Sequence, residues 1–283
     1  MRDLALVAVT VVWGATFVIV KRALEDASPL LFVGLRFAAA TAVLVFLYRR
    51  RLASGPIRGG LLAGVFLFAG YAFQTLGLQE TSASKAAFIT SLNVVLVPFF
   101  GALVYRVWPH ISESIGVVVA TAGLALLTLE GEALAVGRGD MLELICAAGF
   151  AAHIVVLGHY SRAGFERVAV LQVATTAALA LIGCGLLERP YFRSTTQLWL
   201  ALAATSLLAT ALALTVMVWA QQTVPPARAA LIFALEPVVA AVTSWLAAGE
   251  AFTARAAAGA ALILGGILVA ELKPVGPRAH PSP

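Results

Sequence analysis

The sequence predicts an all-α integral membrane protein: ten transmembrane helices forming two inverted-topology five-helix repeats around a central cavity. Three observations predict it. The first is composition. Hydrophobic residues make up 61% of the chain and charged residues 12%, and the mean hydropathy is +0.96. A soluble domain of this size carries far more polar surface. So many apolar side chains leave water only by entering a bilayer. The second is segmentation: charges, prolines and glycines divide the chain into ten apolar runs, each close to the about 20 residues a spanning helix needs. The third is an internal repeat at a fixed offset.

The runs cover 4–21, 29–48, 58–79, 84–105, 111–129, 139–160, 165–187, 196–221, 226–248 and 254–272. The first is too closely followed by further spans, and too poor in preceding basic residues, to be a cleavable signal, so it reads as helix 1. No connection is long enough to fold as a water-soluble domain. The Gly-rich connection from Gly131 to Gly139 separates the halves. Residues 1–130 form the first repeat, 139–272 the second, and 273–283 a cytoplasmic tail.

An even number of spans puts both termini on one side. If that side is the cytoplasm, eleven Lys and Arg residues lie inside, among them Arg49-Arg50-Arg51, and seven lie outside. Positive charge is retained on the cytoplasmic side, so the bias predicts cytoplasmic termini in a bacterial inner membrane. The same rule accounts for the net charge of +5 without nucleic acid, since the basic residues are scattered between apolar runs. Cys146 and Cys184 both fall inside apolar runs and form neither a disulfide framework nor a metal-ligand spacing.

The repeat emerges when Lys85–Leu127 is shifted by 143 residues, without gaps, onto Arg228–Ala270. Asn93 then meets Glu236, Gly116 meets Gly259, and Gly123 meets Gly266. A duplicated unit with five spans is inserted in opposite orientations, the inverted plan of many secondary transporters, whose site lies near the midplane between the halves.

In this frame the chain resembles the EamA family of the drug/metabolite transporter superfamily. The resemblance rests on Trp13-Gly14 with Phe17, Leu35-Arg36-Phe37, Gly77-Leu78 running into Thr81-Ser82-Ala83-Ser84, Gly139-Asp140, Leu235-Glu236-Pro237 and Gly249-Glu250. It implies ten helices in two inverted halves with cytoplasmic termini, and efflux of amino acids or similar metabolites, as in YddG-type exporters. The first repeat departs from the pattern of the second: it has Asn93-Val94 where the second has Glu236-Pro237.

Ionisable groups at membrane depth are costly and mark candidate sites. Glu236 lies mid-way along helix 9. It is either a proton carrier or a structural carboxylate serving a kink at Pro237, which frees the carbonyl of Phe233. Pro98 likewise frees the carbonyl of Val94. His153 shares one stripe of helix 6 with Glu143, Cys146, Phe150, Leu157 and Tyr160. It can shuttle a proton, bind a substrate, or bond a neighbouring helix. Arg36 is expected to reach the outer headgroups or a helix-end carbonyl, with a substrate carboxylate as the other reading.

The neutral candidates are Trp13, Thr16 and Phe17 on helix 1, Tyr71 and Gln74 on helix 3, Thr90 and Asn93 on helix 4, and Thr215, Trp219 and Gln222 on helix 8. Aromatic rings with amides and hydroxyls suit small amphipathic metabolites. The predicted substrate-binding set is Trp13, Thr16, Phe17, Tyr71, Gln74, Asn93, His153, Trp219 and Glu236. Helices 5 and 10 carry spaced glycines and almost no polar groups, which assigns them to scaffold or to a homodimer contact. The sequence has no H-E-x-x-H, no G-x-x-x-x-G-K and no G-x-S-x-G, so neither an enzyme nor a cofactor is predicted. The expected partners are a small-molecule substrate and the lipid bilayer. The competing class is a membrane scaffold without transport, whose interior would be packed dry.

Overall fold

The computed structural model describes residues 1–52, 55–81, 83–106, 108–128, 137–248 and 253–271. Residues 131–136 of the Gly-rich connection, Ser82, Gly249-Glu250, the 273–283 tail and the side chain of Phe17 lie outside the described residues. Among the described residues the regular structure is helical: α1 (Arg2–Ala23), α2 (Pro29–Tyr48), α3 (Ile57–Glu80), α4 (Ala83–Ser91), α5 (Asn93–Tyr105), α6 (Ile111–Thr128), α7 (Arg138–Tyr160), α8 (Phe165–Leu187), α9 (Thr196–Ala204), α10 (Ala213–Gln221), α11 (Pro226–Phe233), α12 (Glu236–Ala248) and α13 (Ala254–Glu271). A π-helical segment, Thr205–Leu212, joins α9 to α10.

Among the described residues, eight continuous or nearly continuous helices are long and apolar enough to cross a membrane, and two shorter apolar helices, Ile111–Leu127 and Ala254–Ala270, accompany them. In hydrocarbon every backbone polar group needs an internal partner, which favours helices throughout. The predicted bounds of 29–48, 165–187 and 196–221 coincide with α2, with α8 and with the run from α9 to α10. Large apolar side chains such as Phe46, Leu103, Val118, Leu186 and Leu268 face outward, as a lipid-facing surface requires.

Two of the predicted spans are interrupted. Span 4 breaks at Leu92, between α4 and α5, and span 9 breaks at Ala234-Leu235, between α11 and α12. The first break lies upstream of Val94, the residue whose carbonyl Pro98 leaves free. The offset of 143 carries Leu92 onto Leu235, and it carries both ends of α5 onto those of α12 and both ends of α6 onto those of α13.

Helix α6 packs along α13, α3 along α7 and α8, and α2 along α8. The glycines make the first of these contacts close. An added Cβ on Gly123 would lie 2.6 Å from the carbonyl oxygen of Gly259, and one on Gly266 would lie 2.6 Å from that of Gly116. The helices therefore run antiparallel with backbones nearly touching. This is an intrachain use of the stripe that had been open to a dimer contact. Gly149 of α7 meets α3 in the same way, its Cβ position 2.8 Å from the amide nitrogen of Gly70.

Candidate functional site

The close α3–α7 crossing fixes one wall of a chamber in the middle of the bundle. Its empty space is ≈ 780 Å³, part of it open to solvent. Seven of the nine predicted residues line it: Trp13 and Thr16 from α1, Tyr71 and Gln74 from α3, Asn93 from α5, His153 from α7 and Glu236 from α12. Trp219 is not among the lining residues. It packs at the end of the bundle, under the Arg2 guanidinium at 4.8 Å from the ring centroid. From α10 the chamber receives Leu214 and Met217 instead. Thr215, Trp219 and Gln222 all lie beyond the π-helical segment, and the face of α10 turned to the chamber is the one that carries Leu214 and Met217. Thr215 is half-buried with its hydroxyl oxygen shielded from solvent, and Gln222 donates to the carbonyl of Ser161 at 3.3 Å.

Arg36 is the principal residue that sequence reasoning placed wrongly. It is 4% exposed and lines the chamber rather than reaching toward headgroups. Its Nε donates to Thr210 Oγ1 at 2.6 Å, and Nη2 donates to the carbonyl of Ala209 at 3.4 Å. Trp13 Nε1 donates to the same carbonyl at 2.9 Å. Both acceptors belong to the π-helical segment, whose altered register offers backbone oxygens to side-chain donors. The Arg36 guanidinium also stands 4.9 Å from the centroid of the Tyr71 ring. Tyr71 in turn is held edge-on between Phe37 and Phe150, at centroid distances of 5.0 and 5.2 Å. Aromatic pairs of this geometry stiffen a wall as well as burying area.

Glu236 and Asn93 each begin the second piece of a broken helix, α12 and α5. A carboxylate at the first turn of a helix is favoured by the backbone dipoles there. Close packing holds that turn in place: an added Cβ on Gly14 would lie 2.9 Å from the carbonyl oxygen of Glu236. That contact gives Trp13-Gly14 a physical reason to be adjacent, one residue for the wall and one for the helix crossing.

His153 is 1% exposed, and its Nε2 is 2.7 Å from Gln172 Oε1 on α8. The imidazole thus touches the chamber while being tethered to a neighbouring helix. Below it on the same stripe, Glu143 is completely buried. Thr90, a lining residue, donates to Glu143 Oε2 at 2.7 Å, with Cys146 Sγ 3.6 Å from the Thr90 hydroxyl. Glu143 fills space that only a glycine leaves, since an added Cβ on Gly77 would lie 2.8 Å from Glu143 Oε1. The i, i+3, i+4 stripe of α7 contained this signal; Glu143 sits one step behind the wall rather than in it.

The chamber reaches Val20 and Leu78 near the ends of α1 and α3. Toward the other end, links across the bundle close it. Gln221 donates to the carbonyl of Ile154 at 2.9 Å, Tyr105 to that of Val155 at 2.9 Å, and Arg2 to Thr223 Oγ1 at 3.0 Å. Asp3 and Arg228 form an ion pair at 3.1 Å. Among the described residues no group of three or more His, Cys, Asp or Glu side chains is placed to hold a metal ion.

Apolar helices of spanning length around a partly polar chamber define a multi-pass membrane protein. The comparisons with known proteins agree. The model of the EamA-like transporter family matches the chain twice, over residues 1–129 and 137–272. An uncharacterized transporter of Archaeoglobus fulgidus is 34% identical over 271 residues, spanning 96% of this chain and 86% of that protein. The uncharacterized transporter YoaV of Bacillus subtilis is 23% identical over 94% of this chain and 95% of its own length. A solved crystal structure superposes with a TM-score of 0.80 over 94% of this chain and 95% of that one, at 20% identity, which is a likeness of fold. The chain belongs to the EamA-like transporter family, within the drug/metabolite transporter superfamily.

Proposed function

We propose that the chain is a secondary transporter that exports small organic metabolites, amino acids foremost, across the bacterial inner membrane by alternating access. The observation that carries the reading is the chamber. Hydroxyl, amide, imidazole, guanidinium and carboxylate groups share it with aromatic and aliphatic walls, whereas a scaffold gains nothing by keeping such groups around open space.

The proposed architecture is two inverted five-helix repeats, 1–130 and 139–272, with both termini cytoplasmic. Three observations support it. The ends of α5 and α6 fall on those of α12 and α13 at the 143-residue offset, and the family model matches each half. The third is the reciprocal contact of α6 with α13: Gly116 meets Gly266 and Gly123 meets Gly259. Such a pattern is that of a two-fold axis perpendicular to an antiparallel pair, which lies in the membrane plane. The links at the α1 start then form the closed gate, and rocking of the halves breaks them as the opposite end closes.

The test is uptake into proteoliposomes from a mixed panel of amino acids and nucleobases. Accumulation of amino acids above protein-free vesicles is expected. Folded protein that accelerates none of the panel contradicts the proposal.

A further inference from the structure

We propose that Arg36 holds the carboxylate of the transported solute, with Glu236 supplying the opposite charge for its ammonium group, so that the chamber selects a zwitterion. The inference rests on the transporter reading above and names the chemistry its site recognises.

Arg36 is a fixed cation inside the membrane-spanning region. Arginine stays protonated in proteins and offers five N–H donors and no acceptor. Two of its nitrogens are tied to Thr210 and Ala209, both uncharged acceptors. Among the described residues no Asp or Glu lies within ion-pair distance of it. Taking a guanidinium out of water without a counter-ion is costly, and such groups at membrane depth mark substrate paths. The tethers to the π-helical segment hold the guanidinium plane still, which is the preorganisation a bidentate carboxylate contact needs. A wall of Tyr71 beneath it favours the flat, weakly hydrated guanidinium over an ammonium.

Glu236 decides what kind of anion fits. It lines the same chamber and, among the described residues, has neither a hydrogen-bond nor an ion-pair partner. One guanidinium and one carboxylate leave the chamber with no net positive charge to offer a phosphate dianion. A molecule bearing one carboxylate and one ammonium satisfies both groups. Among the other lining residues, Trp13, Phe150 and Phe233 offer apolar faces for a side chain.

The experiment uses the full chain in proteoliposomes with matched series. L-leucine, L-phenylalanine and L-threonine are each paired with the corresponding decarboxylated amine and deaminated acid, and nucleobases are included. The expected result is transport of the zwitterions, with the amines and acids at least about tenfold weaker. Arg36→Gln is expected to weaken the zwitterions on the order of 100-fold while leaving the amines no weaker than before. Arg36→Lys, which keeps the charge and loses the fork, falls between the two. Melting of each purified variant without solute shows whether it is folded. If Arg36→Gln does not fold, the analogue series on the wild-type chain and on Arg36→Lys decides. Amines transported as well as the zwitterions, or unchanged zwitterion affinity in folded Arg36→Gln, overturns the inference. If only nucleobases or amines move, the transporter reading stands and the Arg36 assignment falls. If folded protein moves no solute, both fall.

Discussion

Replacing Gly123 by alanine tests the α6–α13 contact. The new Cβ would sit 2.6 Å from the Gly259 carbonyl oxygen, 2.8 Å from the Ile263 nitrogen and 2.9 Å from Leu262 Cβ, where ordinary contact begins at 3.4 Å. Two of these neighbours are backbone and cannot rotate away, so the helices must separate by most of an ångström. That loosens the whole interface and costs about 1–3 kcal/mol, the usual range for overpacking. Gly259→Ala is the mirror case, its Cβ 2.7 Å from the Gly123 carbonyl. Both changes demand the same separation, so the double variant costs less than the sum of the singles by at least about 0.5 kcal/mol. Gly265→Ala on the same helix, where an added Cβ meets nothing within 4 Å, is the control. It should be neutral, or stabilising by up to about 1 kcal/mol through helix propensity. Denaturant unfolding in detergent micelles measures all four. Strict additivity of Gly123→Ala and Gly259→Ala, or no loss from either, would refute the reciprocal contact.

Other expectations follow from the same geometry. Glu236→Gln removes the charge that pairs with the ammonium group, so it should weaken transport of the zwitterions while leaving the deaminated acids no weaker than before; an equal fall for both series together with a loss of stability would leave the carboxylate as a support for the break before α12. Gln172→Leu removes the partner of a buried imidazole, and the unpaired His153 nitrogen should cost about 1–3 kcal/mol in a melting experiment. Arg50→Cys should resist an impermeant thiol reagent applied to intact cells, since the charge bias predicts a cytoplasmic Arg49-Arg50-Arg51 loop; rapid labelling would reverse the orientation.

The parts of the fold that depend on apolar length were legible in the sequence. The runs at 29–48, 165–187 and 196–221 gave their helices to the residue, because a bilayer-length run between charges has one solution. The α6–α13 crossing was legible because the four glycines that serve it stand at one offset in the sequence. The helix breaks were harder to read: Leu92 carries no mark of its own, and the nearby prolines point further along the chain. Within the site, depth and helical face found Trp13, Thr16, Tyr71, Gln74, Asn93, His153 and Glu236. Face reading failed for Trp219, because α10 turns Leu214 and Met217 to the chamber and leaves Trp219 under Arg2 near the helix end. Arg36 was misread for a different reason. A long cation in a span is expected to reach for headgroups unless something inside the bundle accepts its hydrogens, and here the acceptors are Thr210 and Ala209, more than 170 residues away in the chain.

Solute counterflow bears most directly on the claim that this chamber is a transport site. Vesicles containing the purified chain are preloaded with an unlabelled amino acid and diluted into a trace of the labelled one. A site that faces each side in turn predicts a transient overshoot of label inside the vesicles, absent from protein-free vesicles and strongly reduced by Arg36→Gln. Label that merely equilibrates at the protein-free rate for every amino acid tried, with the protein folded, would contradict it.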